Sequence, residues 1–301
     1  MKKKTYLFAL MAMALTLGSC SDNENGIGGE TSKYITVSTS IGNMTRVATD
    51  ANGGQTFEEG DEISVYAWTG DATVAPETRE RVVNNAINKL TNGSWVATPQ
   101  MLWKNNREKH YFIGVYPTAA ISDLSAGEYT FDETKQVESD LLVAVNKDGL
   151  SYNVDEQQPV PLTFTHVMAK LVVNLTYKNQ WGTEGPTVDK VVVGNAAKKA
   201  TINYLTKVVT PSTTAKEDFS LPEITENTKY VSVIIPQEDV KQLTIVIGGK
   251  NFVYDNGTPF KLESGKITTV NLEVGRDEIK LGDVKITDWE DGSTFGGEAL
   301  N

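Results

Sequence analysis

Apolar and polar residues alternate with a period near two along most of this chain. The segment Tyr34–Ile41 shows the pattern clearly, because Ile35, Val37 and Ile41 fall on one face, together with Thr39. Successive side chains of a strand point to opposite faces, so this spacing predicts a strand buried on one side only.

The same alternation recurs at regular intervals and predicts further strands. Asn-Gly and Asp-Gly pairs at 92–93, 148–149 and 256–257 are typical of the turns between strands. The segment Glu80–Leu90 has apolar residues at helical spacing and is predicted to form a helix. The predicted strands are Glu62–Trp68, His110–Tyr116, Leu141–Asn146, Val167–Tyr177, Val188–Gly194, Tyr230–Ile235, Leu243–Ile247 and Ile267–Val274.

Short strands at regular intervals, with few short helices, predict an all-β protein. A chain of this length is typically divided into two domains. Two prolines interrupt the pattern within Gln157–Pro161, which places the boundary there. The sequence therefore predicts two antiparallel β-sandwich domains in tandem, at 34–160 and 161–279, followed by a C-terminal strand and tail at 280–301.

The N-terminal leader has the order of parts of a secretory signal peptide. Lysines follow the initiator methionine, an apolar run spans Tyr6–Leu17, and small residues precede Cys20. The run is shorter than the roughly 20 residues that cross a bilayer. Its ending resembles a bacterial lipobox, whose cysteine is acylated and becomes the first mature residue. Residues 1–19 are therefore predicted to be a lipoprotein signal peptide; an ordinary signal peptide with an incidental cysteine is the alternative.

Residues 20–33 are rich in glycine, asparagine and acids, and are predicted to form a flexible tether. Acids directly after Cys20 resemble the surface-export signal of Bacteroidota lipoproteins. Several acyl chains, such as palmitate, anchor a protein stably. The expected location is therefore the cell outer membrane, with the protein exposed at the surface.

The balance of charge excludes some partners. The chain has 28 basic and 39 acidic residues, and loss of the leader leaves 25 basic residues against the same 39 acids. Such acidity disfavours nucleic acid and anionic membrane faces as partners. Acylation of Cys20, the one cysteine, would leave no thiol for a disulfide or a zinc site.

No catalytic constellation stands out in the sequence. His110 and His166 are the two histidines, and each lies within or beside a strand pattern, where structural roles are more common. Neither a nucleophile elbow nor a phosphate-binding loop is present. Sequence cannot show the separation that would single out a carboxylate pair for glycoside hydrolysis. We therefore expect no enzyme activity, no cofactor and no metal ligands.

Four parts of the chain carry a family resemblance: Phe57–Val65, Leu102–Trp103 with His110–Pro117, Leu162–Leu171 and Ile286–Trp289. In their order and spacing, and with the lipobox, they resemble the fimbrillin-like lipoproteins that build type V pili in Bacteroidota. The resemblance covers nearly the whole chain. It implies two transthyretin-like β-sandwich domains, lipoprotein export, and assembly by strand exchange after proteolysis.

In this family an arginine-specific protease cuts the loop after the first strand. The matching position is Arg46–Val47, so the resemblance implies that residues 34–46 are removed together with the lipid anchor. Loss of Ile35, Val37 and Ile41 would expose an apolar groove and unpaired backbone groups that accept another strand. The alternative is that Arg46 is an ordinary surface residue, comparable with Arg79, Arg81, Arg107 and Arg276.

The tail at 280–301 is the candidate donor strand, because strand addition needs only a sparse apolar pattern. Alternatively, 284–289 is the last strand of its own domain, followed by a frayed tail. A subunit with a free donor tail would belong in the pilus shaft, and one without it could cap the tip. The candidate donor residues are Val284, Ile286, Trp289, Phe295 and Leu300.

The sequence thus favours a structural subunit of a cell-surface pilus, or fimbria, that serves adhesion. Its expected partners are other pilus subunits, an arginine-specific protease and the outer membrane, with a surface glycan or protein as the adhesion target. The rival is a non-polymerising surface lipoprotein or tip adhesin that binds carbohydrate. Its support is Trp181 in the polar loop at 179–185, where the indole could stack on a sugar or pack over the turn.

Overall fold

A computed structural model describes residues 33–42, 56–153, 158–183 and 185–289 of the chain. Within these ranges the backbone forms nineteen strands and two 3-10 helices, Thr78–Glu80 and Asn179–Trp181. The prediction of an all-β protein is confirmed.

The strands in chain order are β1 (Val37–Ile41), β2 (Glu62–Thr69), β3 (Val83–Thr91), β4 (Ser94–Thr98), β5 (His110–Tyr116), β6 (Gly127–Thr130), β7 (Leu142–Leu150), β8 (Val160–His166), β9 (Ala169–Tyr177), β10 (Lys190–Ala197), β11 (Lys199–Asn203), β12 (Val208–Pro211), β13 (Lys216–Leu221), β14 (Glu223–Thr225), β15 (Lys229–Ile234), β16 (Gln242–Ile247), β17 (Lys250–Asp255), β18 (Lys266–Val274) and β19 (Ile279–Asp288). Each strand predicted from the alternation overlaps one of these. Pairing is antiparallel between most neighbours, and parallel between β1 and β8 and between β9 and β18.

A seven-stranded sheet has the order β1-β8-β7-β5-β2-β3-β4. Its two edges approach each other, because the indole N–H of Trp95 in β4 donates to the hydroxyl of Thr39 in β1 at 3.0 Å. The backbone N–H of Ile35, just before β1, also donates to the carbonyl of Met101, just after β4, at 2.9 Å. The sheet is therefore curled, with β1 placed where the curl closes.

The curled sheet encloses an apolar cluster that we call the N-terminal core. Alternate residues of its strands point inwards, as the period of two requires. The first described segment, 33–42, contributes three of the buried side chains. The members are Ile35, Val37, Ile41, Ile63, Val65, Ala67, Val83, Ala86, Met101, Phe112, Leu142, Ala144, Val160, Leu162 and Phe164.

The rest of the described chain forms sheets of five strands (β14-β15-β9-β18-β19), four strands (β13-β10-β16-β17) and three strands (β12-β11-β6). These sheets share a second apolar cluster, which also includes Tyr66, Trp68 and Ile113 of the seven-stranded sheet. Strand β2 therefore serves two cores, with Ile63 and Val65 on one face and Tyr66 and Trp68 on the other.

The helix predicted at Glu80–Leu90 is wrong, because most of this segment is strand β3. The β2–β3 register shifts between Val65 and Ala67, where Asn85 adopts a φ of 56°. This β-bulge inserts an extra residue, so Val83 and Ala86 share the buried face although they are three apart. That three-residue spacing imitates a helical pattern.

Two of the three predicted turns are confirmed. Gly93 has a positive φ between β3 and β4, and Gly257 has one between β17 and β18. The turn predicted at Asp148–Gly149 is wrong, because both residues lie within β7. A positive φ of 69° at Gly149 marks a local irregularity of that strand instead.

The division into domains at residue 160 stays a prediction. Strand β8 begins at Val160 and belongs to the seven-stranded sheet, so a division by sheet membership falls after His166. Strand β6 pairs with β11, which links the two halves of the chain through the three-stranded sheet.

Candidate functional site

Strand β1 lies at an edge of the seven-stranded sheet and pairs in parallel with β8. Val37 lies opposite Val160, and Ile41 lies opposite Phe164. The backbone N–H of Val160 donates to the carbonyl of Thr36 at 2.8 Å. This ladder fixes the register in which β1 places its side chains over the core.

The residues that lead into β1 bond to a different part of the sheet. Tyr34 and Leu102 form an isolated antiparallel bridge. The backbone N–H of Trp103 donates to the carbonyl of Lys33 at 3.1 Å. The first segment is therefore held by backbone hydrogen bonds on two sides, by β8 and by residues 101–103.

The side chains that alternate along this segment are buried as predicted. Ile35, Val37 and Ile41 are 1%, 6% and 6% exposed. Burying one such aliphatic side chain stabilises a fold by roughly 1.5–3 kcal/mol. The three together contribute roughly 5–9 kcal/mol, which is comparable with the net stability of a whole domain.

Close packing behind β1 depends on a glycine in β5. A Cβ atom at Gly114 would lie 2.6 Å from the Phe164 ring and 3.1 Å from Leu162, so only glycine lets these β8 side chains sit against β5. Sequence reasoning did not single out Gly114. The available signal was a glycine inside the apolar run of His110–Tyr116.

Aromatic side chains surround Phe57, which lies near the start of the described range 56–153. Its ring makes edge-to-face contacts with Trp95, Tyr116 and Phe164, at centroid distances of 5.3, 5.4 and 5.1 Å. Such contacts add to the stabilisation from burial. Because Trp95 also bonds to Thr39, these rings connect the rim of the sheet to β1.

We call the space filled by residues 35–41 the strand slot. Its two sides are the backbone edges of β8 and of residues 101–103, and its interior is the N-terminal core. Backbone edges of this kind recognise an extended peptide, and apolar pockets at alternate positions set its register. The chemistry available here is thus binding of a β-strand.

The predicted lipidation position Cys20 and the predicted cleavage positions Arg46 and Val47 lie outside the described residues. Among the other arginines, Arg81 is only 8% exposed. Its guanidinium donates to the carbonyls of Ile121 and Ser122, both at 2.6 Å. A protease that cuts exposed loops therefore has no access to Arg81 in the folded protein. The side chain of Arg79, by contrast, is 79% exposed.

Strand β19 is an edge strand that pairs antiparallel with β18. Val284 lies opposite Val270, and Ile286 lies opposite Thr268. These two candidate donor residues are 38% and 39% exposed, although their partners are fully buried. The structure thus places 284–288 in a strand of its own sheet, with Trp289 buried directly after it. Phe295 and Leu300 lie outside the described residues.

Trp181, the candidate glycan contact, packs over a turn. Its indole N–H donates to the carbonyl of Val274 at 3.0 Å. The Phe252 ring meets it edge-on, and the Arg276 guanidinium lies 5.5 Å from its centroid. These contacts show that Trp181 has a packing role in the fold.

His110 occupies a structural position in β5. Its Nε2 accepts the backbone N–H of Lys104 at 3.1 Å, and its Nδ1 donates to the carbonyl of Glu108 at 3.1 Å. Burial lowers the pKa of His110. Because both ring nitrogens are engaged by backbone groups, neither is available to a substrate.

The described residues contain no group of three or more His, Cys, Asp or Glu side chains arranged to hold a metal ion. None of the helices in those ranges is long and apolar enough to cross a membrane.

Together these features define an all-β protein whose first described strand completes a curled sheet. The family model described as Fimbrillin-like matches residues 45–289. The chain belongs to the fimbrillin-like family, as its four sequence segments indicated.

Known proteins extend this comparison. Fim1C of Bacteroides uniformis, named as a fimbrium subunit, is 26% identical over 322 aligned residues, which cover 100% of this chain and 99% of that protein. A solved Bacteroides uniformis structure named as a cell adhesion protein superposes with a TM-score of 0.65 at 19% identity, over 86% of this chain and 100% of that one. A similarly named Bacteroides ovatus structure gives 0.64 at 18% identity, over 85% and 98%. These structures share the fold.

Proposed function

We propose that this protein is a structural subunit of a cell-surface pilus that assembles by strand exchange and serves adhesion. The observation that carries the proposal is the strand slot, in which β1 bonds β8, the residues just before it bond residues 101–103, and three apolar side chains are buried. Membership of the fimbrillin-like family and similarity to a protein named as a fimbrium subunit support it.

In the proposed pathway the chain is exported as a lipoprotein acylated at Cys20 and is then cut after Arg46. Cleavage removes the covalent link between β1 and the rest of the fold. Without β1, the slot loses a contribution of roughly 5–9 kcal/mol from three buried side chains. A second strand that restores this burial therefore gains much of the same free energy.

The donor in this proposal is the C-terminal strand and tail of another copy. Val284 and Ile286 are two residues apart, as are Ile35 and Val37, and they are exposed in their own sheet. An apolar pair that is incompletely buried at home gains more by entering a closed core. The same transfer links subunits in a row and yields a polymer.

The proposed partners are other pilus subunits, an arginine-specific protease and, through the lipid anchor, the outer membrane. The proposed location is the cell surface, first as an anchored precursor and then within the fimbrium. In this proposal the pilus adheres by binding a surface glycan or a host protein. Because Trp181 is packed, no described contact favours a carbohydrate site there.

The test compares Arg46→Ala with Arg107→Ala, a matched exposed arginine in a loop. Each protein is recovered from the surface of producing cells, and its N-terminus and intact mass are measured in membrane and sheared fractions. Wild type and Arg107→Ala should begin at Val47 in sheared filaments. Arg46→Ala should remain a folded monomer that begins at acylated Cys20. Normal filaments from Arg46→Ala would overturn the proposed mechanism.

A further inference from the structure

Strand β19 ends against a buried aromatic stack. Among the described residues from Ile279 onwards, Trp289 is the one that is buried, at 7% exposure. Its indole lies nearly parallel to the His166 ring, with an interplanar angle of 8° and a centroid distance of 4.0 Å. Its backbone N–H donates to the carbonyl of Gly265 at 3.0 Å. The last described residue is therefore anchored by both its ring and its backbone.

Two charged side chains position this stack. The Nδ1 of His166 lies 2.8 Å from a carboxylate oxygen of Asp140. The buried ammonium of Lys170 lies 5.0 Å from the centroid of the Trp289 ring, within the range of a cation–π contact. The carboxylate fixes the orientation of the imidazole, and the imidazole in turn holds the indole.

The stack also carries a cost. The Nε2 of His166 and the indole Nε1 of Trp289 are buried and have no hydrogen-bond partner within the described residues. A buried polar atom without a partner loses the hydrogen bonds it makes in water. When the two rings separate, these atoms can bond to water, which offsets part of the free energy lost with the stacking.

Strand β19 itself has no fully buried side chain, and Ile279 and Leu281 pack against the second core only as partly buried residues. Val284 and Ile286 are more than a third exposed, and β18 alone pairs with this strand among the described residues. Trp289 is thus the most deeply buried side chain at the end of the described residues.

The other half of the stack belongs to the strand that lines the slot. His166 is the last residue of β8, and β8 pairs with β7 only through residues 164–166. Residues 160–163 pair with β1 and, within the described chain, with no other strand. Removal of β1 therefore leaves residues 160–163 without a paired strand, so that pairing holds β8 to its sheet through residues 164–166 alone.

We propose that the stack of Trp289 on His166 is an autoinhibitory latch that couples the slot to the C-terminal strand. While β1 fills the slot, β8 is held in place and the latch keeps β19 in its own sheet. When β1 leaves, β8 loosens, the latch opens, and β19 with its tail becomes free to enter a second copy. This last step rests on the proposed function, whereas the coupling within one chain does not.

The test measures amide hydrogen exchange in the full chain, before and after cleavage of β1. His166→Leu retains an apolar side chain of similar size but removes the stacking ring. His110→Leu, the chain's other buried histidine, is the matched control far from β19 in the strand order. Before cleavage, His166→Leu should speed exchange at 284–289 by about tenfold or more, and His110→Leu should leave it unchanged. Cleavage should produce the same acceleration in wild type.

Unchanged exchange at 284–289 in His166→Leu, or in cleaved wild type, would overturn the latch. If His166→Leu loses protection throughout β1 and β8, Asp140→Asn replaces it, because this change frees the imidazole while leaving the ring in place. Assembly is scored separately: cleaved His166→Leu should polymerise with a shorter lag than wild type. Accelerated exchange without polymers from any variant would support the latch and count against the proposed pilus function.

Discussion

The first and last strands of the described chain are both edge strands, yet their side chains are buried to very different degrees. In β1, Val37 and Ile41 are each 6% exposed, whereas in β19 Val284 and Ile286 are 38% and 39% exposed. The cause is the curvature of the sheets. Strand β1 lies where a curled sheet closes on itself, and β19 lies at the open end of a five-stranded sheet.

This difference teaches that an edge position does not by itself make a strand dispensable. What decides the cost of losing a strand is the number of backbone edges it bonds and the apolar area it covers. By both measures the segment 33–41 is part of the core, because it bonds two backbone edges and buries three apolar side chains. Strand β19 pairs with β18 alone among the described residues and covers less apolar area. In the proposed assembly these are the properties required of a strand that must be replaced and of a strand that is free to move.

The largest expected effect tests this comparison directly. Val37→Asp places a carboxylate in the N-terminal core and should lower the free energy of unfolding by about 4 kcal/mol or more. Ile286→Asp, the matched change in β19, should cost less than about 1 kcal/mol because the side chain already reaches solvent. Urea unfolding of the uncleaved protein measures both. Similar losses in the two variants would remove the distinction between the strands.

A second prediction concerns Lys170, which lies beneath the anchor of β19. Burial lowers the pKa of Lys170 to about 8, so the unfolded chain binds this proton more tightly than the folded protein does. Its contribution to stability is therefore unfavourable below about pH 8 and becomes less so as the pH rises towards the ordinary value near 10.5.

Lys170→Met removes the buried charge and should stabilise the protein at pH 7 by up to about 3 kcal/mol. The gain over wild type should shrink between pH 8 and pH 10, as measured by urea unfolding at each pH. Lys199→Met, an exposed lysine on β11, is the control and should show no such pH dependence. If the difference in unfolding free energy between Lys170→Met and wild type stays constant across this pH range, the lowered pKa of Lys170 is not its cause.

The smallest expected effect concerns the polar contact of β1. Thr39→Val keeps the shape of the side chain but removes the acceptor of the Trp95 indole N–H. Loss of this half-buried hydrogen bond should cost about 1 kcal/mol, whereas Ser38→Ala on the exposed side should cost less than about 0.5 kcal/mol. Thermal unfolding of the pair measures the difference. Equal effects would show that the contact between the two sheet edges adds nothing.

Much of the fold was predictable because a half-buried strand has a simple period. The positions Ile35, Val37 and Ile41 follow from that period alone, and their burial is confirmed. The alternation is broken where a bulge inserts an extra residue, as at Asn85. At that segment the apolar spacing wrongly predicted a helix. A bulge changes which residues point to the buried face, and no distinct local sequence pattern marks it.

The site was less predictable, because its shape depends on contacts between distant segments. Alternation shows that β1 has a buried face, but it does not show that β1 bonds β8 while the residues just before it bond residues 101–103. Similarly, the apolar pattern made Trp289 a candidate donor residue, but its stack on His166 joins positions far apart in sequence. Pairings of this kind are decided by tertiary packing.

The parallel pairing of β1 with β8 also constrains the order in which the chain can fold. Ser40 and Thr163, neighbours in this ladder, are 123 positions apart, and Asn174 and Asn271 in the other parallel pair are 97 apart. Contacts of such long range make folding slow, on the order of milliseconds to seconds. During synthesis the first strand emerges early, yet its partner follows only after most of the curled sheet. The segment 33–42 is therefore among the last of the described segments to reach its final pairing.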